Sequence, residues 1–160
     1  MRTRRTHRLP ATEYIGQKAV SFTVCERDRR PRLANARVFR ILEQTLTTAC
    51  ERHGCTVPIF TAMPDHLHIL MLGMADDTNI TKAFDQFKRL SGTGFTKIEN
   101  GPVWQPRSHD EILRDGAWPG KARYIAQNPY RANLCNPDEP WPYTGSIGHD
   151  LQEIILDAFW

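Results

Sequence analysis

The stretch Ala62-Met63-Pro64-Asp65-His66-Leu67-His68-Ile69-Leu70-Met71 sets two imidazoles two residues apart in an apolar run bounded by Pro64 and Gly73. Short, and rich in Leu, Ile and Met, the run reads as a buried strand rather than a helix. Side chains alternate along a strand, so His66 and His68 project from one face and Leu67 and Ile69 from the other. One face then packs on a core while the other presents two nitrogen donors side by side. Neutral imidazoles in that arrangement suit a divalent metal ion. A pair of surface histidines on a half-exposed strand would look the same, and His-x-His alone does not choose between the two.

N-terminal to this run, Val20-Ser21-Phe22-Thr23-Val24-Cys25 alternates and is β-branched, a first strand followed by a turn from Glu26 to Pro31. Between Leu33 and His53 the residues Val38, Ile41, Leu42, Leu46 and Ala49 recur at steps of three and four, an amphipathic helix that Gly54 ends. Cys55 to Thr61 is a second strand, and Pro58, which has no N–H for a ladder, makes it an edge strand or a bulged one. C-terminal to the histidines, Asp77-Thr78-Asn79 supplies N-caps for a helix from Ile80 to Leu90. Ile80, Ala83, Phe84 and Phe87 face inward on it, Lys82, Lys88 and Arg89 face outward, and Gly92 and Gly94 are expected to break it.

Short strands at Val103-Trp104-Gln105 and Glu111-Ile112-Leu113 come next, then Pro119 in the first turn of a helix. That helix, Lys121 to Asn128, is expected to stop at Pro129. Trp141-Pro142-Tyr143 reads as a loop laying aromatics on the domain, and Asp150 to Phe159 as a last amphipathic helix. The order β-α-β-β-α-β implies an α+β, ferredoxin-like split βαβ fold: an antiparallel sheet with helices packed on one face.

A chain of 160 residues suffices for one domain with a full core. No apolar run approaches the roughly 20 residues that cross a bilayer. The basic start is followed by no apolar signal region, so a cytoplasmic protein is expected. Cys25, Cys50, Cys55 and Cys135 show no metal-finger spacing and are expected to be reduced. The net charge of +3 is unevenly spread: Arg2, Arg4, Arg5 and Arg8 precede the first acid, Glu13, and after Arg131 there are acids but no Lys or Arg. This suggests a basic surface for a polyanion and an acidic end. The chain divides into a basic arm (1–12), a domain (13–145) and an acidic amphipathic helix (146–160), which is expected to pack on the basic surface and limit access to the site.

Tyr124 and Asn128 lie four apart, on one helical face. A phenol can form covalent intermediates where a metal polarises the electrophile, and an amide oxygen can complete a metal site with two histidines. A tyrosine there could equally be an ordinary packing residue.

Together, Met63-Pro64-Asp65-His66-Leu67-His68, Val103-Trp104-Gln105, Tyr124-Ile125-Ala126-Gln127-Asn128-Pro129-Tyr130-Arg131-Ala132 and Trp141-Pro142-Tyr143-Thr144-Gly145 resemble the single-tyrosine HUH transposases. Among these the pattern is most similar to the REP-associated tyrosine transposases, over about residues 9 to 145. The resemblance implies that His66, His68 and Asn128 ligate Mg2+ or Mn2+. It also implies that Tyr124 attacks a phosphate of single-stranded or hairpin DNA at palindromic repeats, leaving a 5′-phosphotyrosyl link and a free 3′-hydroxyl. Two segments depart from the family pattern: Ser108 stands where an aromatic is frequent, and Asp115 to Gly120 is Gly/Pro-rich, which suggests a shorter or more mobile tyrosine helix.

DNA contacts are expected from Arg2, Arg4 and Arg5 on the arm, from Lys82, Lys88, Arg89 and Lys97, and from Arg107, Arg123 and Arg131 near the site. A monomer or homodimer, nucleoid-associated and free of membrane, fits this reading. A histidine-triad hydrolase is set aside because Leu70 occupies the next alternate position, and a two-histidine phosphoesterase because no His-x-Thr/Ser pair occurs. The alternative that stands is a hairpin-binding protein that keeps the fold without transposing.

Overall fold

In the computed structural model, which describes residues 8–159, the alternation of Val20, Phe22 and Val24 becomes the inward face of β1 (Ala19–Cys25). Asn35 caps α1 (Ala36–His53) by accepting the Val38 N–H at 3.0 Å, and Gly54 closes it at φ 67°, in the left-handed region open to glycine. β2 (Cys55–Ala62) and β3 (His66–Gly73) form a hairpin about the Pro64-Asp65 turn. Asn79 caps α2 (Ile80–Phe95) through the Lys82 N–H. Then come β4 (His109–Ile112), α3 (Trp118–Arg131), β5 (Thr144–Ile147) and α4 (Leu151–Phe159).

All pairings are antiparallel, in the order β4-β1-β3-β2-β5. β3 lies between β1 and β2, and β1 between β3 and β4, so each βαβ unit is split by a strand of the other, the ferredoxin-like arrangement. The two long helices α1 and α2 cover one face, where Phe22 stacks on Phe84 with centroids 4.0 Å apart. The expectation of helices on one face holds for these two only. On the opposite face Ile59 and Leu70 are covered by Ala122, Ile125 and Ala126 of α3 and Ala158 of α4. Leu70 shares the parity of His66 and His68, so that face carries apolar surface that water would penalise.

Three local expectations change for tertiary reasons, and a fourth, at Pro58, resolves to its bulged alternative. α2 runs through Gly92 and Gly94, because a Cβ at Gly94 would stand 2.8 Å from Ile41 Cγ2; the glycine permits close approach to α1. Val103 to Gln105 forms only a Glu26–Trp104 bridge; the indole is buried and donates to Ser91 Oγ at 2.8 Å. Pro58 is not on an edge strand, since β5 pairs beyond β2, and the register shifts around it are the bulge that accommodates a residue without N–H. α3 continues through Pro129 to Arg131, longer at both ends than the Lys121–Asn128 expectation, despite the Gly/Pro-rich lead-in. Ala132 N–H still donates to Asn128 O and Leu134 N–H to Pro129 O, while Arg131 donates to Tyr124 O at 2.7 Å, inside the turn a proline opens.

β5 is anchored where Gly145 lies on the Phe60 ring, which a Cβ would meet at 2.6 Å. Gly145→Ala should therefore lower stability by about 1–3 kcal/mol in urea unfolding. Combined with Phe60→Leu, the losses should be less than additive, because the second change vacates the space the first needs.

Candidate metal and tyrosine site

The register places His109, Thr23, His68, Thr61 and Thr144 in one row across all five strands, with Cys25 opposite His66. This polar row lies on the face that α3 covers. Within it His68 Nδ1 pairs with Thr23 Oγ1 at 3.1 Å. His66 Nδ1 pairs with Asp65 Oδ1 at 2.7 Å, and Asp65 Oδ2 accepts from Arg29 Nε at 2.9 Å. Burial pulls the Asp65 carboxyl upward, but the hydrogen bond from His66 and the Arg29 charge outweigh it, and its pKa falls below the usual value. An anionic acceptor on Nδ1 fixes the tautomer of His66 and leaves the Nε2 lone pair for a ligand. The two rings stand edge to face with centroids 4.8 Å apart.

His68 is pushed down to about 4, first by burial, then by His66, Lys121 and Arg131. It is therefore a neutral donor at physiological pH. In metal-free protein the unfolded chain takes up a proton below about 6.5 that folded His68 refuses. Above 6.5 neither state binds it, so stability should fall between pH 6.5 and about 4 and level off below, by on the order of 3 kcal/mol. His149, also lowered by burial, titrates in the same direction. Urea midpoints across this range in chelator, compared between wild type and His68→Gln, isolate the His68 share.

On α3, Ala122, Ile125 and Ala126 bury against Ile59 and Leu70, which turns Tyr124 outward; it is 50% exposed. The Arg131 guanidinium lies 3.9 Å from the Tyr124 ring centroid and donates to Asn128 Oδ1 at 3.2 Å. Lys121 Nζ lies 5.1 Å from the same ring and 3.3 Å from Glu111 Oε2. The same Lys121 and Arg131 charges lower His68, and α3 packs on Leu70, two residues along β3 from His68, so the tyrosine helix lies on the histidine face. α3 docks on the sheet of its own chain.

Two imidazoles with free Nε2 atoms, plus an amide oxygen with a second lone pair, fit a hard or borderline divalent ion. Among the described residues there is no cluster of three or more His, Cys, Asp or Glu that could hold a metal ion.

Of the expected DNA contacts, Lys88, Arg89 and Arg107 line a groove beside α2, while Lys82 and Lys97 are exposed outside it. Arg123 lies with Asp150, Glu153 and Asp157 around a small cavity between α3 and α4, away from Tyr124's other neighbours. Arg2, Arg4 and Arg5 lie outside the described residues. α4 does not lie on a broad basic surface. It braces α3 by apolar packing: Ala158 and Ile154 join the second core, Phe159 meets Tyr130 edge to face with centroids 5.0 Å apart, and Gln127 Nε2 donates to Ala158 O at 2.7 Å.

Three contributors escape a reading by motif: Thr23, Asp65 as the support of His66, and Arg29. Thr23 was recoverable from strand parity, and Asp65 adjoins His66. Arg29 was not, because its place depends on a loop in which it adopts φ 57°. Buried Glu26 organises that loop, its Oε2 accepting from the N–H groups of Asp28 and Arg30 at 2.9 and 2.8 Å.

The sequence model of the family described as "Transposase IS200 like" matches residues 17–107, which include both histidines and end before α3. A Haemophilus influenzae protein described as a candidate REP-associated tyrosine transposase is 25% identical over 123 residues, covering 69% of this chain and 69% of its own. The solved structure of a REP-associated tyrosine transposase bound to a REP hairpin superposes with a TM-score of 0.71 at 20% identity, covering 86% of this chain and 80% of that one. The crystal structure of a candidate transposase from Deinococcus radiodurans gives a TM-score of 0.52 at 16% identity, covering 78% and 95%. These two likenesses are of fold. Among the described residues no helix is long and apolar enough to cross a membrane. With its match over more than half its length, the chain belongs to the IS200-like transposase family.

Proposed function

We propose that this chain is a metal-dependent single-strand DNA endonuclease and strand transferase acting at hairpins or palindromic repeats through Tyr124. The observation that carries it is the pair of free Nε2 atoms beneath a helix whose half-exposed tyrosine is flanked by two cations. Tyr124 Oη forms a bond to phosphorus, the bond to the 3′-oxygen breaks, and the phenolic proton is exchanged for one on the departing hydroxyl. One phosphodiester replaces another, so a 3′-hydroxyl can reverse the step without external energy. Lys121 and Arg131 put positive charge where the phosphate oxygens must sit. Arg131 also holds Tyr124 and Asn128 as one unit through its contacts to both. His66, His68 and Asn128 would hold Mg2+ or Mn2+, and the bound ion would supply Lewis-acid polarisation of the phosphate.

The hairpin-bound structure and the REP-associated relative support a palindromic substrate. Docking of α3 on its own sheet supports a site made within one chain, as a monomer or homodimer, and a substrate of chromosomal repeats would be met at the nucleoid in the cytoplasm. One observation favours the alternative of a hairpin-binding protein without transposition: Asn128 Oδ1 is engaged by Arg131, which leaves two imidazoles as the free donors. The deciding experiment incubates labelled hairpins from repeats flanking the gene with Mg2+, Mn2+ or chelator and resolves them on a denaturing gel. A metal-dependent protein–DNA adduct is expected; tight binding without an adduct in either metal would favour the alternative.

A further inference from the structure

We infer that Glu26 is a positioning residue of the metal site, acting through Arg29 and Asp65 to fix how His66 presents its Nε2 atom. This rests on the histidine pair as metal donors. It extends their site to a buried carboxylate and to the Val103-Trp104-Gln105 motif, which the chemistry above leaves unused.

Glu26 directly follows β1 and is fully buried. Its Oε2 accepts the N–H groups of Asp28 at 2.9 Å and Arg30 at 2.8 Å, and its carbonyl oxygen accepts the Arg29 N–H at 3.1 Å. Three successive N–H groups thus converge on one residue, a backbone nest closed around a carboxylate. Oε1 is buried too and has no hydrogen-bond partner among the described residues. A half-paired buried carboxylate is costly, and an apolar side chain could fill the same space without that cost. What only an acceptor supplies is the path of the loop. With it comes Arg29 at φ 57°, a conformation that a residue with a Cβ rarely adopts unaided.

From that conformation Arg29 sends Nε to Asp65 Oδ2 at 2.9 Å and Nη1 to Cys25 Sγ at 2.7 Å, while Asp65 Oδ1 pairs with His66 Nδ1 at 2.7 Å. Both ends of the loop are tied to the turn that carries Asp65: Glu26 N–H donates to Asp65 O at 2.9 Å and Leu33 N–H to Pro64 O at 3.0 Å. The motif clips the same loop. Arg27 N–H donates to Val103 O at 2.7 Å, Gln105 N–H to Cys25 O at 2.9 Å and Gln105 Nε2 to Glu26 O at 3.2 Å. Trp104 anchors the clip in the core, on Ser91 and Phe95. Each Asp65 oxygen is committed to one partner, so the loop that sets Arg29 also sets which oxygen faces the imidazole. His68 has a separate support, the Thr23 hydroxyl inside the sheet.

The test reads both histidine rings of the metal-free full chain by proton–nitrogen correlation in alkaline buffer, then Mn2+ affinity by electron paramagnetic resonance. In wild type His66 should carry its proton on Nδ1. Arg29→Gly removes the guanidinium and leaves a residue at ease at φ 57°, so the urea midpoint should stay near wild type. His66 should nevertheless lose its single tautomer, His68 should keep its own, and Mn2+ affinity should fall about tenfold. Glu26→Ala should do the same, and Glu26→Gln should recover part of the loss because an amide oxygen can enter the nest. The double variant Glu26→Ala/Arg29→Gly should bind Mn2+ no more weakly than the weaker single one, as two links of one chain do. An unchanged His66 tautomer in Arg29→Gly, losses that multiply in the double variant, or equal disturbance of both histidines would overturn the positioning role. A His66 tautomer that shifts as expected in protein that binds no Mn2+ would sink the metal reading and keep the positioning chain. Normal Mn2+ binding and adduct formation, with one His66 tautomer in every variant, would do the reverse.

Discussion

Tyr124→Phe is expected to abolish the covalent protein–DNA adduct while leaving hairpin affinity within about twofold of wild type. The adduct requires the phenolic oxygen and nothing else in the ring, so cleavage should drop by at least about a thousandfold, the scale on which removal of a nucleophile acts. Folding should be untouched. Tyr124 is half exposed, no hydrogen bond to its hydroxyl is seen among the described residues, and α3 is anchored by Ala122, Ile125 and Ala126. The Arg131 and Lys121 contacts are to the ring face, which Phe retains. Persistence of the adduct would mean another nucleophile. The remaining tyrosines are poor substitutes: Tyr14 is fully buried against Asp110, the Tyr130 hydroxyl donates to Glu139 O, and Tyr143 packs in the aromatic cluster with Phe39 and Trp141. The denaturing gel with wild type and variant side by side decides it.

The paired change His66→Ala/His68→Ala should remove both free imidazole donors. Mn2+ affinity, read by electron paramagnetic resonance without DNA, should fall by more than about a hundredfold, and metal-dependent adduct formation should fall with it. The support of His66 gives a graded companion. Asp65→Asn keeps the shape but loses the anionic acceptor and the Arg29 ion pair, so metal affinity should fall by about 10–100-fold. Both variants should retain the far-ultraviolet spectrum of wild type, since neither histidine belongs to the apolar cores. Unchanged Mn2+ binding in the double variant would place the metal elsewhere and leave the His-Leu-His pair as structural polar residues.

The two predictions share a premise that was legible at different depths. His66 and His68 follow from a strand with period two, and that period alone gives them a common face opposite Leu67 and Ile69. Tyr124 and Asn128 follow from a helical step of four. Which side of the sheet α3 covers does not follow from either pattern. It is decided by Ile59 and Leu70, whose apolar surface on the histidine face needs a lid, and by Ala122, Ile125 and Ala126, which supply one. Arg131, expected from its charge to contact DNA, holds the tyrosine ring and the asparagine amide together, a role that depends on α3 running past Pro129.

By itself the sequence determined the α+β class, the split βαβ pattern, an N-cap among Asp77, Thr78 and Asn79, the helix end at Gly54 and the common face of the histidine pair. These are encoded within a few residues, through side-chain period and through local hydrogen bonds. Only the tertiary structure decided whether Gly94 stops a helix or lets Ile41 approach, that Pro58 sits in a central bulge, that Trp104 buries its indole on Ser91, and that Arg29 reaches Asp65. Each of those outcomes depends on atoms far away along the chain, and a glycine, proline or arginine carries the same local preference whichever neighbour folding brings to it.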